Sequence, residues 1–219
     1  MAYSKNQLDE MQKVLYSAVI ADILDDIGVK NFNLPNSIYP ILDSGSIMGY
    51  ARTVYACDVF EVPKELYKLE LEFIDSVKEN DVIMAVVSGQ NHNGFFGELL
   101  ATAAMARGSR GAIIDGYIRD VTKISEMKYP IYAKGMNPLD SKGRVDVMFY
   151  DEPIICGSTQ INNGDLIFAD IDGIVVTPAK YEQEVIEKAM VKVNGENKVR
   201  EELKQGKSAK EIFEKYGIL

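Results

Sequence analysis

Three polar side chains near the middle of the chain have the types and the spacing for carboxylic-acid chemistry. Glu98 is followed by twenty residues and then by Arg119 and Asp120. Arginine is a fixed cationic fork that suits a carboxylate or an enolate oxygen. Aspartate is a hard oxygen ligand for Mg²⁺ or Mn²⁺. The segment that carries them, GELLATAAMARGSRGAIIDGYIRD, reads as a glycine loop, a helix, a buried strand and a second loop. A helix and a strand of this length return the chain to about where it started. The helix N-terminus near Glu98 and the Arg119-Asp120 pair can then face one pocket, expected to bind a divalent metal and a small oxo acid.

The elements that position these groups follow from local chemistry. After Gly97 the run ELLATAAMAR holds strong helix formers and no breaker. Its first N–H groups have no intrahelical partner, so those of Leu99 and Leu100 offer a seat for a carboxylate at the positive end of the helix dipole. Gly94 and Gly97 let the backbone come close to a ligand. Gly111 to Asp115 is a short apolar strand before a turn signal, Asp115-Gly116. Loops that follow strands are where α/β folds tend to place ligands. A plainer reading stands beside each of these. Asp120 precedes VTKISEM and can be its N-cap, Glu98 can simply favour the positive end of its own helix, and Arg119 can be a solvated charge.

Several ordered blocks resemble a known family: SAVIADILDDIG, GYARTV, GELLATAA, GAIIDGYIRDV, NNGDLIFADIDGIVVTP and EIFEKYGIL. With the acid-x20-Arg-Asp spacing they are similar to the class II pyruvate aldolases. Those enzymes cleave 4-hydroxy-4-methyl-2-oxoglutarate and 4-carboxy-4-hydroxy-2-oxoadipate. The blocks are equally similar to the related proteins called regulator of ribonuclease activity A, some of them once labelled dimethylmenaquinone methyltransferases. The resemblance covers nearly the whole chain. It implies an α/β fold, a layered α/β/β/α-type sandwich of the swivelling phosphohistidine-domain kind with N- and C-terminal helices. It also implies a homotrimer or homohexamer with active sites between subunits.

The activity it implies is a metal-dependent carbon–carbon lyase that releases pyruvate from a 4-hydroxy-2-oxo acid, with oxaloacetate decarboxylation as a side activity. In that reading Asp120 binds Mg²⁺ or Mn²⁺, and the Gly97 loop with the N–H groups of Leu99 and Leu100 holds the substrate carboxylate. Arg119 stabilises the enolate, and Glu98 holds a water that carries protons. A neighbouring subunit adds an acid, for which Glu196 is the candidate and Glu201 the runner-up. The rival reading is a non-catalytic regulator that binds ribonuclease E or another protein. Regulators of that type often lack the full signature, which this chain keeps. No glycine-rich strand-to-helix loop supports a nucleoside cofactor, so the methyltransferase label is set aside.

The length of 219 residues suits one domain, 1–219, with 180–219 as a C-terminal helical extension. The net charge of −9 argues against nucleic acid or an anionic membrane as the main partner. No apolar run is long enough to span a bilayer, and the N-terminus lacks the order of a secretory signal, so the expected location is cytoplasmic. Cys57 and Cys156 sit in apolar strand-like runs and are expected as reduced thiols.

Along the chain, Ser4 to about Ile27 reads as helix broken near Ser17, with Ser4 and Ser17 as caps and Gly28 as the stop. Asp22, Asp25 and Asp26 form a solvated face opposite Val19, Ile20, Ile23 and Leu24. Residues 30–45 read as loop, then IMGYARTVYACDVFEV as strand bent near Gly49. Arg52 is either an edge-strand charge or a holder of a second carboxylate. LYKLELEFIDSVKEN is helix, DVIMAVV a buried strand, and SGQNHNGFFG a polar loop. His92, the one histidine, is a loop residue or a proton carrier, and a multi-histidine zinc site is excluded. Lys134 raises an imine alternative that nothing local supports. Successive strands follow, with turns at Asn163-Gly164 and Asp172-Gly173. Asp170 and Asp172 read as turn or strand-end residues rather than ligands. A long helix runs to about Leu203, and a short one capped by Ser208 closes the chain.

Overall fold

The computed structural model describes residues 2–42, 45–90 and 92–217. Asp43 and Ser44 of the predicted 30–45 loop, Asn91 of the predicted polar loop and the last two residues of EIFEKYGIL lie outside that range.

The N-terminal helix is broken where expected. α1 (Lys5–Val14) starts at a reciprocal capping box between Ser4 and Gln7. α2 (Ser17–Asp26) restarts the chain but is not capped by Ser17. Ser17 is the first helical residue, and both its N–H and its hydroxyl donate to the Asp170 carboxylate, at 2.8 and 2.6 Å. The cap therefore comes from a strand end 153 residues away. Gly28, at φ +79°, ends α2 as predicted.

Next come β1 (Tyr39–Pro40), β2 (Ile47–Asp58), α3 (Lys68–Ser76), β3 (Asp81–Ser88), β4 (Gly94–Phe96), α4 (Glu98–Ala106) and β5 (Gly111–Ile118). Then follow α5 (Val121–Met127), β6 (Ile131–Met136), β7 (Val145–Tyr150), β8 (Ile154–Cys156), β9 (Thr159–Ile161), β10 (Leu166–Asp170) and β11 (Gly173–Thr177). The chain closes with α6 (Glu182–Lys204) and α7 (Ala209–Tyr216), the latter capped by Ser208 as expected. This is a mixed α/β fold with seven α-helices among the described residues.

The main sheet runs β1-β6-β5-β3-β2-β10-β11, with β4 joined to β5 and β7 to β2. β2, β3, β5 and β6 are parallel neighbours. The central strands are buried on both faces, which is why DVIMAVV is apolar without a break. Ile83 and Ala85 of β3 join Ala112 and Ile114 of β5 in a core under α3, α4 and α5. Val82, Met84 and Val86 join Ile113 on the opposite face, with residues of β8 to β11. A third core packs α1, α2 and the first turns of α6 against Met48, Leu166, Phe168 and Val175. Among the described residues no helix is long and apolar enough to cross a membrane.

Five local expectations need correction. Asp115-Gly116 is no turn: β5 runs through it to Ile118, and the pair sits at a register shift against β6. A Cβ on Gly116 would lie 2.9 Å from Val87 Cβ, so the glycine serves packing. β2 also passes straight through Gly49, whose missing side chain admits the Asn80 carbonyl, and its irregularity lies at Tyr55/Ala56 instead. The loop SGQNHNGFFG contains β4, and the 30–45 loop contains β1. Arg52 lies on an interior strand with only 11% of its side chain exposed, paired with Asp151 at 2.9 Å and with Ser76 at 2.8 Å.

The Ser17–Asp170 contact generates a prediction. Asp170→Ala removes the acceptor for two donors at the start of α2. It should lower stability by about 1–2 kcal/mol in urea unfolding without altering the fold.

Candidate active site

The site is built from one crossover. β4, α4 and β5 form a strand–helix–strand unit whose strands pair in parallel, Gly94 opposite Tyr117 and Phe96 opposite Ile118. The Arg119 N–H donates to the Phe96 carbonyl at 3.0 Å, so the end of β5 is fastened beside the start of α4. The chain does return to its starting point, and Glu98, Arg119 and Asp120 are neighbours.

Asp120 occupies the residue before α5, yet its side chain does not cap that helix. Its backbone is left-handed, at φ +58°, which aspartate tolerates better than most residues. The carboxylate turns back to α4, where Oδ2 accepts the Glu98 N–H at 3.2 Å. Among the described residues Oδ1 takes no hydrogen bond. Gly97 makes this possible. A Cβ there would meet Asp120 Oδ2 at 2.7 Å and Arg119 Nε at 3.2 Å. Gly94 admits Arg119 Cβ in the same way, at 2.6 Å from a built Cβ. The two glycines thus make room for the Arg-Asp pair, and both also line the adjoining cavity.

Arg119 lies between two carboxylates, with Nε 3.6 Å from Asp120 and Nη1 3.2 Å from Asp140. Its remaining nitrogen, Nη2, has no partner among the described residues. Asp140, in the loop between β6 and β7, is itself held by the Tyr67 hydroxyl at 2.9 Å and the Lys142 N–H at 3.0 Å. Burial pushes the Asp140 carboxyl up, but those two donors and Arg119 outweigh it and hold it below the usual range. Tyr67 precedes α3 at φ +59°, an uncommon backbone for a bulky residue.

A cavity of about 240 Å³ opens at this point. Arg119, Asp120, Gly97, Leu99 and Leu100 line it together with Tyr67, Glu70, Leu71, Asp140 and Ser141. Leu99 and Leu100 belong to the first turn of α4, whose N–H groups have no intrahelical acceptor. Glu70 is only 8% exposed. Burial, then the charges of Asp140 and Asp146, push its carboxyl up to about 7 against the pull of Arg119.

Not every predicted residue meets here. Glu98 lines a shallow groove beside the cavity, shared with Leu99 and Asp120, and its Oε1 accepts from Thr102 at 2.9 Å. Glu196 lies on α6, bonded to the Tyr16 hydroxyl, and does not line this cavity in its own chain. Glu201 pairs with Lys204 at 2.8 Å. His92 stacks on Tyr117 and Lys134 pairs with Asp115; neither lines the cavity. Cys57 and Cys156 are free thiols, and burial pushes that of Cys156 up to about 12. Asp140, Tyr67 and Glu70 carried no sequence signal beyond their residue types.

Among the described residues no three His, Cys, Asp or Glu side chains gather into a cage for a metal. A lone hard carboxylate with an open oxygen, as in Asp120, does fit Mg²⁺ or Mn²⁺, since Mg²⁺ usually keeps several waters.

A family model described as RraA-like: Aldolase/RraA matches residues 17–176. A protein of Halalkalibacterium halodurans, provisionally named 4-hydroxy-4-methyl-2-oxoglutarate aldolase, is 30% identical over 82% of this chain and 80% of its own. Protein DlpA of Legionella pneumophila is 29% identical over 91% of this chain, which spans 32% of DlpA's length. Streptomyces coelicolor RraAS2, described as an unusual member of the RNase ES inhibitor RraA protein family, shares the fold. Its TM-score is 0.78 at 24% identity, over 91% of this chain and 98% of its own.

The raised Glu70 carboxyl makes a stability prediction. A carboxyl raised above its unfolded value weakens the fold once pH exceeds about 4.5, and the loss grows until about pH 7. At about 1.4 kcal/mol per pH unit the loss is at most about 3 kcal/mol. Glu70→Gln should therefore be more stable than the parent at pH 8 by up to that amount, with the difference vanishing near pH 4 in denaturant unfolding.

Proposed function

The chain belongs to the RraA-like, Aldolase/RraA family, and on that premise we propose that its cavity is the site of a metal-dependent carbon–carbon lyase. The substrate is a 4-hydroxy-2-oxo acid such as 4-hydroxy-4-methyl-2-oxoglutarate, the product is pyruvate, and oxaloacetate decarboxylation is a side activity. The observation that carries the reading is the clamp at the end of β5. One crossover presents an unpaired guanidinium nitrogen, an open aspartate oxygen and helix N–H groups to one cavity.

Asp120 would hold Mg²⁺ or Mn²⁺, which supplies Lewis-acid polarisation of the 2-oxo group. The N–H groups of Leu99 and Leu100 receive the carboxylate of the oxo acid. Arg119, steadied by Asp140, directs its fork at the enolate oxygen, where negative charge develops as the carbon–carbon bond breaks. Glu98 orients a water from the groove beside Asp120, and that water takes the hydroxyl proton and returns one to the enolate carbon. Leu99 and Leu71, at 76% and 52% exposure, leave an apolar rim at the cavity mouth. That rim supports a homotrimer or homohexamer in which a neighbour covers the site and contributes an acid, with Glu196 as the candidate. A regulator of ribonuclease E would share the fold, but would have no use for an open aspartate oxygen beside an unpaired guanidinium.

The deciding experiment measures pyruvate release from 4-hydroxy-4-methyl-2-oxoglutarate and from oxaloacetate, with Mg²⁺, Mn²⁺ or chelator. Release that needs metal is expected, and its absence from a folded protein with both substrates sinks the reading. Asp120→Asn keeps a residue that tolerates the left-handed backbone, so its melting temperature should stay close to the parent's while metal-dependent turnover disappears. Arg119→Lys should lose at least tenfold in kcat/KM, because a point charge cannot span the enolate and Asp140 together. Gly97→Ala, whose φ of −127° suits alanine, should lose about a hundredfold by displacing the Asp120 carboxylate.

A further inference from the structure

The lining of the cavity contains a group the reaction above leaves unused. Glu70, on α3, is 8% exposed, lines the cavity, and makes no hydrogen bond among the described residues. Arg119 reaches Asp120 through Nε and Asp140 through Nη1, and Asp140 is bonded to Tyr67, at the start of the helix that carries Glu70. Glu70 shares that helix with Tyr67, and the charges that act on its carboxyl are those of Asp140, Asp146 and Arg119.

An unpaired, buried carboxyl in a cavity also lined by Leu71, Phe95 and Leu100 is a poor structural choice, since an apolar side chain of similar size would fill the space without desolvating an acid. A buried carboxyl on a cavity wall is instead the kind of group that meets a ligand. The other charged groups facing it limit what that ligand can be. Asp140 and Asp146 are close enough to raise its carboxyl, and Arg119 opposes them. Asp140 is held below the usual carboxylate range, and the Tyr67 hydroxyl is pushed up to about 12 by burial and by Asp140. Burial and these neighbouring acids bring the Glu70 carboxyl to about 7.

We infer that Glu70 recognises the distal carboxylate of a dicarboxylic 2-oxo acid, donating a hydrogen bond to it as a neutral carboxylic acid. The inference rests on the oxo-acid reading and deepens it by one residue: a substrate such as 4-hydroxy-4-methyl-2-oxoglutarate has a second carboxylate beyond the bond to be cleaved, and Glu70 is the group assigned to it. In its ionised form Glu70 repels that carboxylate, so binding of dicarboxylates falls as pH rises. A monocarboxylate such as pyruvate does not reach it and binds independently of its charge.

The test is calorimetric titration of the magnesium-loaded protein with 2-oxoglutarate, which has no 4-hydroxyl to be cleaved, and with pyruvate. Both are measured at pH 6 and pH 8, for the parent and for Glu70→Gln. A group titrating near 7 should weaken 2-oxoglutarate binding about tenfold from pH 6 to pH 8, leaving pyruvate within about twofold. Glu70→Gln, a donor at every pH, should bind 2-oxoglutarate with a flat profile. A flat profile in the parent, or an unchanged slope in Glu70→Gln, overturns the role of Glu70 and leaves the oxo-acid reading in place. Failure of the folded parent to bind either acid overturns both.

Discussion

The parallel pairing of β4 with the end of β5 is the contact on which the candidate site depends. Only three residues of β4 take part, yet they set Phe96 beside Ile118 and let the Arg119 N–H close on the Phe96 carbonyl. A one-residue slip would put alternate side chains on the wrong face and carry Arg119 away from the helix terminus. The apolar residues around it resist that slip. Phe95, Phe96, Ile118 and Ile124 are all buried in the core beneath α4 and α5. The precision of the site is thus supplied by packing, and its polar groups are fastened to a rigid edge.

The electrostatics are finely balanced. Arg119 is shared between Asp120 and Asp140, so its charge is already matched before any ligand arrives. An anionic substrate cannot draw on that guanidinium alone without competing against two carboxylates at short range. A divalent cation held by Asp120, as proposed, would reverse the local sign, and a neutral Glu70 would remove a third negative group from the same cavity. The whole-chain charge of −9 says little about this; the order of groups around one guanidinium decides it.

How much of this was legible in the sequence depends on how far apart the partners lie. The glycine loop, the helix and the Arg-Asp pair were readable because they form one local crossover with strong helix formers and a two-sided buried strand. The wall formed by Tyr67, Glu70 and Asp140 was not. It joins α3 to the β6–β7 loop across 73 residues through one hydroxyl–carboxylate bond, and nothing local marks either end. Asp115-Gly116 carried a real turn signal that tertiary context overrode, because Val87 needs the space a side chain would take. Ser17 looked like a cap for the same local reason, while the acceptor arrived from Asp170. Asp120 is the converse case: it stands at a cap position, but its carboxylate serves the neighbouring helix.

Gly97 adopts a backbone conformation open to any residue, so what it supplies is room. The Asp120 carboxylate fills the volume a methyl group would need. Positions 97 and 120 are therefore coupled sterically as a pair. A lineage that still uses the aspartate has no freedom at 97, while one that gives it up gains a vacant niche there. Loss of the acid at 120 should leave a paired signature, in which side chains grow at 97.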